Sequence, residues 1–290
     1  MQATSPSKDL SEKVKTYYDN NTPIFIKVGR SKESKNIHRA VWGTGVRTSE
    51  EAMTFTNKLI LDEILSYQPQ NEVKILDLGC GVGAPLFYLA ERYPNEATFT
   101  GVSISEVQIN IANELKSKVE NGKNCSFIEA DFHKLPELPA QDLIYMIEAF
   151  IHSNDPGALL SQVSKNLKSG GKFIICDDTL SNSKSGLSEK REKKILNDYI
   201  ENWQVGSLYT DDQITNMASD HNLKLISNQN LTPNLNLWTA RDKFAHASLF
   251  IYNLLPFTST YWESIKGGDA LQIGLLKGLF EYRFMVFEKM

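Results

Sequence analysis

From residue 73 onward, short apolar runs suited to covered strands alternate with longer stretches whose apolar positions recur at helical spacing. Val73, Ile75, Leu76 and Leu78 form an apolar run of the kind carried by a parallel strand covered on both faces, and it leads straight into Gly79, Gly81 and Gly83. Residues 84–92 then read as a helix with Pro85 in its first turn, where the missing N–H costs nothing. The unit recurs, with strands predicted over 97–105, from 127 to an exit turn at Leu135-Pro136, and over 143–147. Two more follow, one after a turn at Ser169-Gly170-Gly171 and one over 223–228. Helices are predicted between them over 157–168, over 181–203 and after a cap at Thr210. A strand, glycine turn and helix in this order form a cofactor pocket at the carboxyl end of a parallel sheet, so the expected class is α/β, doubly wound.

Both ends depart from this alternation. A helix is expected from Ser11 through Tyr17 and Tyr18, broken by Asp19-Asn20-Asn21. Residues 22–45 mix aromatics, cations and glycines without period and read as an irregular loop, either covering a site or anchored to the core by Phe25 and Trp42. Thr48 followed by Glu50 and Glu51 is a helix start, with the helix running to about Tyr67. Residues 233–266 carry Trp238, Phe244, Phe250, Tyr252, Phe257, Tyr261 and Trp262, a helical insertion suggesting a bulky apolar ligand, and 268–278 a last helix.

Composition narrows the classes. A net charge of −4 supplies no basic field, which argues against a nucleic-acid partner. Cys80, Cys125 and Cys176 are odd in number and far apart, against a disulfide framework and against a zinc site, so no metal is expected and a cytoplasmic location is. The N-terminus is polar, unlike a secretion signal, and no apolar run approaches the ~20 residues of a membrane span. Association into a homo-oligomer stays open.

The glycine turn fits two cofactors. Gly79-x-Gly81-x-x-Ala84 is a passable dinucleotide fingerprint. Asp77, just before it, would repel a pyrophosphate but could accept hydrogen bonds from a positively charged amino acid moiety. Here the sequence resembles motif I of the class I S-adenosylmethionine-dependent methyltransferases, an acid followed by G-x-G-x-G. That resemblance implies S-adenosyl-L-methionine as cofactor, held around Asp77, Gly79, Cys80, Gly81 and Gly83.

Further stretches resemble the small-molecule branch of that family, which includes ubiquinone, sterol and tocopherol methyltransferases (the methyltransferase type 11 branch). The Tyr17-Tyr18 helix and the Asn36-Ile37-His38-x-x-x-Trp42 stretch imply that Tyr18, His38 and Trp42 fold over the cofactor, with His38 facing substrate. Gly101-Val-Ser-Ile-Ser-Glu-Val-Gln108 resembles the cyclopropane-synthase, tocopherol and sterol branches and implies contacts from Ser103, Ile104 and Gln108. Ser103 stands where most of these enzymes, and nicotinamide enzymes too, place an acid. Asp131-Phe132 resembles the family's adenine site, and Ile147 closes the fourth strand beside the cofactor. Tyr145-x-Ile-Glu-Ala-x-x-His152 resembles sterol carbon methyltransferases, which implies that Glu148 and His152 border the substrate. Glu148 and His152, four apart, could alternatively pair with one another.

The expected fold is thus a Rossmann-like sheet of seven strands, six parallel and the last, 280–288, a reversed edge strand, with helices on both faces. Residues 1–68 would form a helical lid, 69–232 the cofactor-binding core, 233–278 a substrate-pocket insertion and 279–290 the final strand. The expected activity is methyl transfer to a small, largely apolar acceptor, with Glu148, His152 and His38 as catalytic groups. Carbon methylation of an isoprenoid- or polyketide-like acceptor in secondary metabolism leads, and oxygen or nitrogen methylation is the alternative. An NAD(P)-dependent oxidoreductase and a non-catalytic adenosylmethionine-binding module are the competing classes. Lys27, Arg30, Arg39 and Arg47 could also hold an anionic head group.

Overall fold

The computed structural model describes residues 8–28, 35–66, 72–94, 96–252 and 259–290. Arg30, Tyr67 and Phe257 therefore lie outside the described residues. Seven strands, β1 (Val73–Leu78), β2 (Ala97–Ser103), β3 (Cys125–Glu129), β4 (Gln141–Ile147), β5 (Leu167–Leu180), β6 (Leu223–Asn230) and β7 (Phe280–Lys289), form one sheet. Their order is β3-β2-β1-β4-β5-β7-β6. β1 pairs in parallel with β2 and β4, so the chain reverses direction across the sheet beside β1, and a crevice opens at the carboxyl ends of these strands.

One expectation about the sheet is corrected. β7 is antiparallel, but it is not at the edge: it runs between β5 and β6, pairing with both. Burial explains the placement, since Tyr282, Phe284, Val286 and Phe287 are all within the core, whereas β6 is half exposed and suits the rim. The turn expected at Ser169-Gly170-Gly171 is instead a bulge within β5. Pairing steps from Gln141 opposite Leu167 to Leu143 opposite Lys172, and Gly170 takes φ +74°.

Helices α1 (Lys8–Val28), α2 (Ser49–Ser66), α3 (Ala84–Arg92), α4 (Glu106–Lys116), α5 (Pro156–Asn166), α6 (Glu189–Asn202), α7 (Asp211–Ser219), α8 (Ala240–Tyr252) and α9 (Thr260–Leu276) complete the described chain. Two apolar clusters line the sheet, one beneath α2 and α3 around Ile60, Leu86 and Phe99, the other around Leu160, Ile144 and Phe287 beside α5 and α7. Local signals hold at several helix starts. The Thr48 hydroxyl accepts the Glu51 N–H at 3.2 Å while Glu51 accepts the Thr48 N–H at 3.0 Å, and Thr210 with Gln213 does the same for α7.

α1 departs most from expectation. It continues through Asp19-Asn20-Asn21 and Pro23 to Val28. Those polar residues are accommodated in two ways: Asn21 is buried with its amide on the Tyr17 carbonyl one turn back in the same helix at 3.0 Å, and Asp19 accepts the Ser105 hydroxyl at the start of α4 at 2.5 Å. Local breaker propensity gives way to docking against α4. No helix among the described residues is long and apolar enough to cross a membrane.

Candidate active site

Two chambers meet at the carboxyl ends of β1, β2 and β4. The inner one, about 120 Å³, is floored by the glycine turn and roofed by α1 and residues 35–38. The outer one, about 290 Å³, lies between α1, α2, residues 36–40, residues 235–237 and α9. Tyr18, Ile37, His38, Glu148 and His152 line both and form the throat between them.

The inner chamber's floor is shaped by backbone. Gly79 has φ +88°, and a Cβ there would sit 2.4 Å from the Cβ of Ala149, so a glycine is required on both counts. The N–H groups of Gly79 and Cys80 both donate to the Val102 carbonyl, at 2.8 and 3.0 Å, which locks the turn to β2. Gly83 caps α3 and makes room for the Phe127 ring, 2.6 Å from where its Cβ would be, so its role is in packing and it does not line the chamber.

Among the described residues, Asp77 is the one acid lining the inner chamber apart from Glu148 at the throat. Burial pushes its carboxyl up to about 8, an effect the neighbouring Tyr145 hydroxyl only partly offsets. Its Oδ2 is buried and has no hydrogen-bond partner. At the β2 end, Ser103 donates to the Gln108 side-chain oxygen at 2.7 Å, and the Gln108 amide donates to the Thr22 hydroxyl of α1 at 3.1 Å. Thr22 and Asp19 tie the lid helix to this wall. Local pattern hides both, since Asp19 reads as part of a helix break and Thr22 as the start of an irregular loop.

Of the expected cofactor contacts, Tyr18, Asp77, Gly79, Cys80, Gly81, Ser103, Ile104, Gln108, Phe132 and Ile147 line the inner chamber. Trp42 lines neither chamber: its backbone N–H donates to the Asn234 carbonyl at 2.7 Å, beside a bridge from Val41 to Leu235, and so it fastens residues 41–42 to the segment after β6. Asp131 parts from Phe132 and faces a separate polar groove, where its carboxylate accepts the His133 N–H at 2.9 Å and meets His133 Nδ1 at 2.7 Å.

The throat holds a second acid. Glu148 follows β4 with φ +49°, a conformation that favours glycine, which marks the residue as held there by its surroundings. Its Oε1 accepts the Arg39 N–H at 2.8 Å and the Tyr282 hydroxyl at 3.0 Å, and lies 3.3 Å from Arg39 Nε. Among the described residues no hydrogen bond reaches Oε2. Arg39 in turn grips both oxygens of buried Asp178 at 2.6 Å each and lies over the Tyr282 ring at 4.4 Å. The Tyr199 hydroxyl also donates to Asp178, at 2.6 Å. Neighbouring Asp177 accepts the Ile151 and Asp178 N–H groups, and burial, reinforced by Asp178, holds its carboxyl well above the usual range.

The two histidines are less available. His152 does not pair with Glu148. Its Nδ1 donates to the Gln204 carbonyl at 3.1 Å, which leaves Nε2 to accept the Tyr18 hydroxyl at 2.8 Å. Burial lowers the His152 pKa and raises that of Tyr18 well above its ordinary value, so both are neutral at pH 7. Both nitrogens of His38 meet oxygens, the Arg39 carbonyl and the Asn57 amide, at 3.1 Å each, and burial lowers this pKa too. Every nitrogen of the two rings faces a protein atom, and a neutral His38 donates to only one of its two oxygens.

The inner chamber fits S-adenosylmethionine. Asp77 Oδ2 is a buried acceptor waiting for a donor, as the ammonium of a sulfonium amino acid would be, and the turn at Gly79 clears the backbone for it. The comparisons with known proteins agree. The family model described as "Methyltransferase domain" matches residues 69–232. An O-methyltransferase of Pyrenophora dematioidea is 27% identical over 215 residues, 72% of this chain and 74% of its own. A cycloartenol-C-24-methyltransferase of Arabidopsis thaliana is 33% identical over 167 residues, 57% of this chain, and the match spans 46% of that enzyme's length. A mycolic acid cyclopropane synthase crystallised with adenosylhomocysteine superposes with a TM-score of 0.76 at 19% identity, covering 96% of this chain and 98% of its own. The chain belongs to the methyltransferase-domain family and is an S-adenosylmethionine-dependent methyltransferase of small molecules.

Proposed function

We propose that the enzyme methylates carbon in a small, largely apolar acceptor of isoprenoid- or polyketide-like chemistry, with Glu148 as the catalytic group. The observation that carries this is the state of Glu148: a carboxyl group with one oxygen held by two hydrogen bonds and the Arg39 ion pair and the other without a described partner, at the throat where the chambers meet. Bound S-adenosylmethionine supplies an electrophilic methyl on a sulfonium, so the protein has to align an acceptor with it and exclude water. Asp77 takes the amino group, the Gly79–Gly81 turn makes room for the amino acid portion, and Ser103, Ile104, Gln108 and Phe132 border the nucleoside. Tyr18 and Ile37 narrow the throat. Glu148 Oε2 stabilises the positive charge left when a methyl adds to an alkene, and then accepts the proton lost to restore neutrality. His152 and His38 position Tyr18 and the residue 36–39 segment rather than exchange protons.

The division of labour along the chain follows. Residues 1–68 close over the cofactor, 69–232 bind it, and 233–278 shape the acceptor site. Supporting this, the outer chamber draws Phe25 and Met53 from the first segment, Leu235, Leu237 and Tyr261 from the third, and Ile151 and Trp203 from the core.

Oxygen methylation is the second reading, favoured by the O-methyltransferase relative, which is matched over more of both chains than the cycloartenol enzyme. In it Glu148 Oε2 removes a hydroxyl proton. Label transfer from methyl-labelled S-adenosylmethionine to a panel of alkenes, phenols and alcohols, with the new methyl assigned by NMR as carbon- or oxygen-bound, decides between them. Glu148→Gln and Glu148→Ala should bind adenosylhomocysteine like the wild type and lose turnover. Wild-type rates in both would remove Glu148 from the mechanism.

A further inference from the structure

One wall of the outer chamber is made by an indole ring and by the helix that seats it. Trp203 follows the last residue of α6 and lines the outer chamber but not the inner one, so it stands beyond the throat. Its indole N–H donates to the Ser264 carbonyl of α9 at 2.9 Å, and its ring packs against that of Tyr199 with centroids 5.7 Å apart. The next carbonyl, that of Gln204, receives His152 Nδ1, so the same turn serves the throat. α9 is shaped to take the ring. A Cβ at Gly267 would stand 2.4 Å from Trp203 Cδ1, whereas one at Gly268 would reach Cζ2 only at an ordinary 3.6 Å. A glycine in the body of a helix weakens it, and at Gly267 the indole accounts for one. The ring also packs against a buried apolar cluster that includes Ile195, Ala270 and Leu271, so it stands where the chamber meets that cluster.

We propose that Trp203 sets the length of acceptor the enzyme takes: the part of the molecule that extends past the throat runs up against the indole, which Ser264 and the bare backbone at Gly267 hold in place. This rests on the reading above that the outer chamber is the acceptor site, and adds to it the residue that limits size. With its N–H engaged by Ser264, the indole turns only carbon toward an acceptor, so it limits length by contact and recognises no polar group. Each methylene of a chain that fits adds about fourfold in affinity, and the first that meets the ring adds nothing. A smaller side chain at position 203 moves that limit outward, toward the apolar cluster, and a ring pushed off α9 moves it inward.

The test titrates 1-butanol, 1-hexanol, 1-octanol and 1-decanol into the full chain saturated with adenosylhomocysteine and reads their affinities by NMR. The chamber, about 290 Å³, is at the small end of ligand pockets, so in the wild type affinity should climb with chain length and level off before 1-decanol. Trp203→Leu should carry the climb at least one alcohol further. Gly267→Ala should halt it at least one alcohol sooner, while Gly268→Ala, the same methyl one residue along, should leave it where the wild type has it. A ring that only braced the fold would lower stability without moving the limit in opposite directions. A climb unbroken to 1-decanol in the wild type, a limit that Trp203→Leu or Gly267→Ala leaves in place, or one that Gly268→Ala moves as far as Gly267→Ala does would overturn the proposal. If Trp203→Leu takes up no adenosylhomocysteine, Trp203→Phe, smaller and without the Ser264 bond, is read in its place against the same expectation. Alcohols that bind without these shifts would remove Trp203 from this role and leave the acceptor chamber standing. Alcohols that bind nowhere, with adenosylhomocysteine bound normally, would remove the acceptor chamber and the proposal with it.

Discussion

Replacing Asp77 by Asn should make the protein without ligand more stable and its cofactor affinity worse. Burial raises this carboxyl from its ordinary 3.8 to about 8. For an acid raised on folding, the neutral form is the one the folded state favours, so stability present below pH 3.8 is lost progressively as pH rises toward about 8. At pH 7 the unfolded chain ionises here and the folded chain does not. The difference is about three pH units at ~1.36 kcal/mol each, or roughly 4 kcal/mol. Asn, neutral at every pH, removes that cost while keeping shape. For a chain of this size, at ~2 °C per kcal/mol and with some of the gain offset by the buried amide, Tm should rise by about 4–8 °C at pH 7. The gain should shrink at pH 5 and vanish near pH 4.

The same residue should couple ligand binding to a proton. Wild-type Asp77 is protonated before adenosylhomocysteine binds and must ionise to receive its ammonium, so close to one proton should be released per ligand near pH 7. Titration calorimetry repeated in buffers of different ionisation heat counts that proton. Asp77→Asn should release none and bind roughly 10- to 100-fold more weakly, the worth of one charge-assisted hydrogen bond. A variant that melts no higher than wild type at pH 7 and binds adenosylhomocysteine as tightly would refute the assignment of Asp77 as a strained, ligand-awaiting acid.

Other outcomes follow from the same geometry. Arg39→Met leaves Asp178 and Glu148 without their shared cation and should cost about 3–5 kcal/mol in chemical denaturation. Gly79→Ala forces a Cβ to within 2.4 Å of Ala149 and should prevent soluble expression, whereas Gly81→Ala, whose Cβ would approach nothing nearer than Ile37 at 3.9 Å, should fold and lose mainly cofactor affinity. Equal behaviour of the two would contradict the close packing at Gly79. Thr22→Val strands the buried Gln108 amide and should cost about 1–3 kcal/mol. It should also raise hydrogen exchange in α1 more than in β2, and uniform exchange would show that the Thr22–Gln108 contact does not hold the lid.

The parts of this enzyme legible in its sequence are those written in local pattern. The strand–glycine–helix unit at 73–92, the caps at Thr48 and Thr210 and the placement of Glu148 after an apolar strand all follow from short-range rules. The failures share one cause, which is that the deciding partner lies far along the chain. Asp19, Asn20 and Asn21 end a helix in isolation, yet here α1 runs past them, with Asp19 and Thr22 bonded to Ser105 and Gln108 at the start of α4. Trp42 resembles a cofactor-covering aromatic until Asn234 takes its backbone. Arg39 reads as a loop cation until Asp178, 139 residues away, and Glu148, 109 residues away, are seen to share it. Tyr282, whose hydroxyl reaches Glu148, belongs to a strand whose alternation reveals only that it is buried. What orients the Glu148 carboxyl group is therefore a set of contacts drawn from residues 36–40, β4, β5, α6 and β7 at once, so it acquires its one available oxygen only when the whole sheet and the segment over it are assembled. Partial unfolding of the N-terminal segment should abolish turnover before it disturbs the cofactor floor, because Arg39 leaves Glu148 while the turn at Gly79 stays bonded to β2.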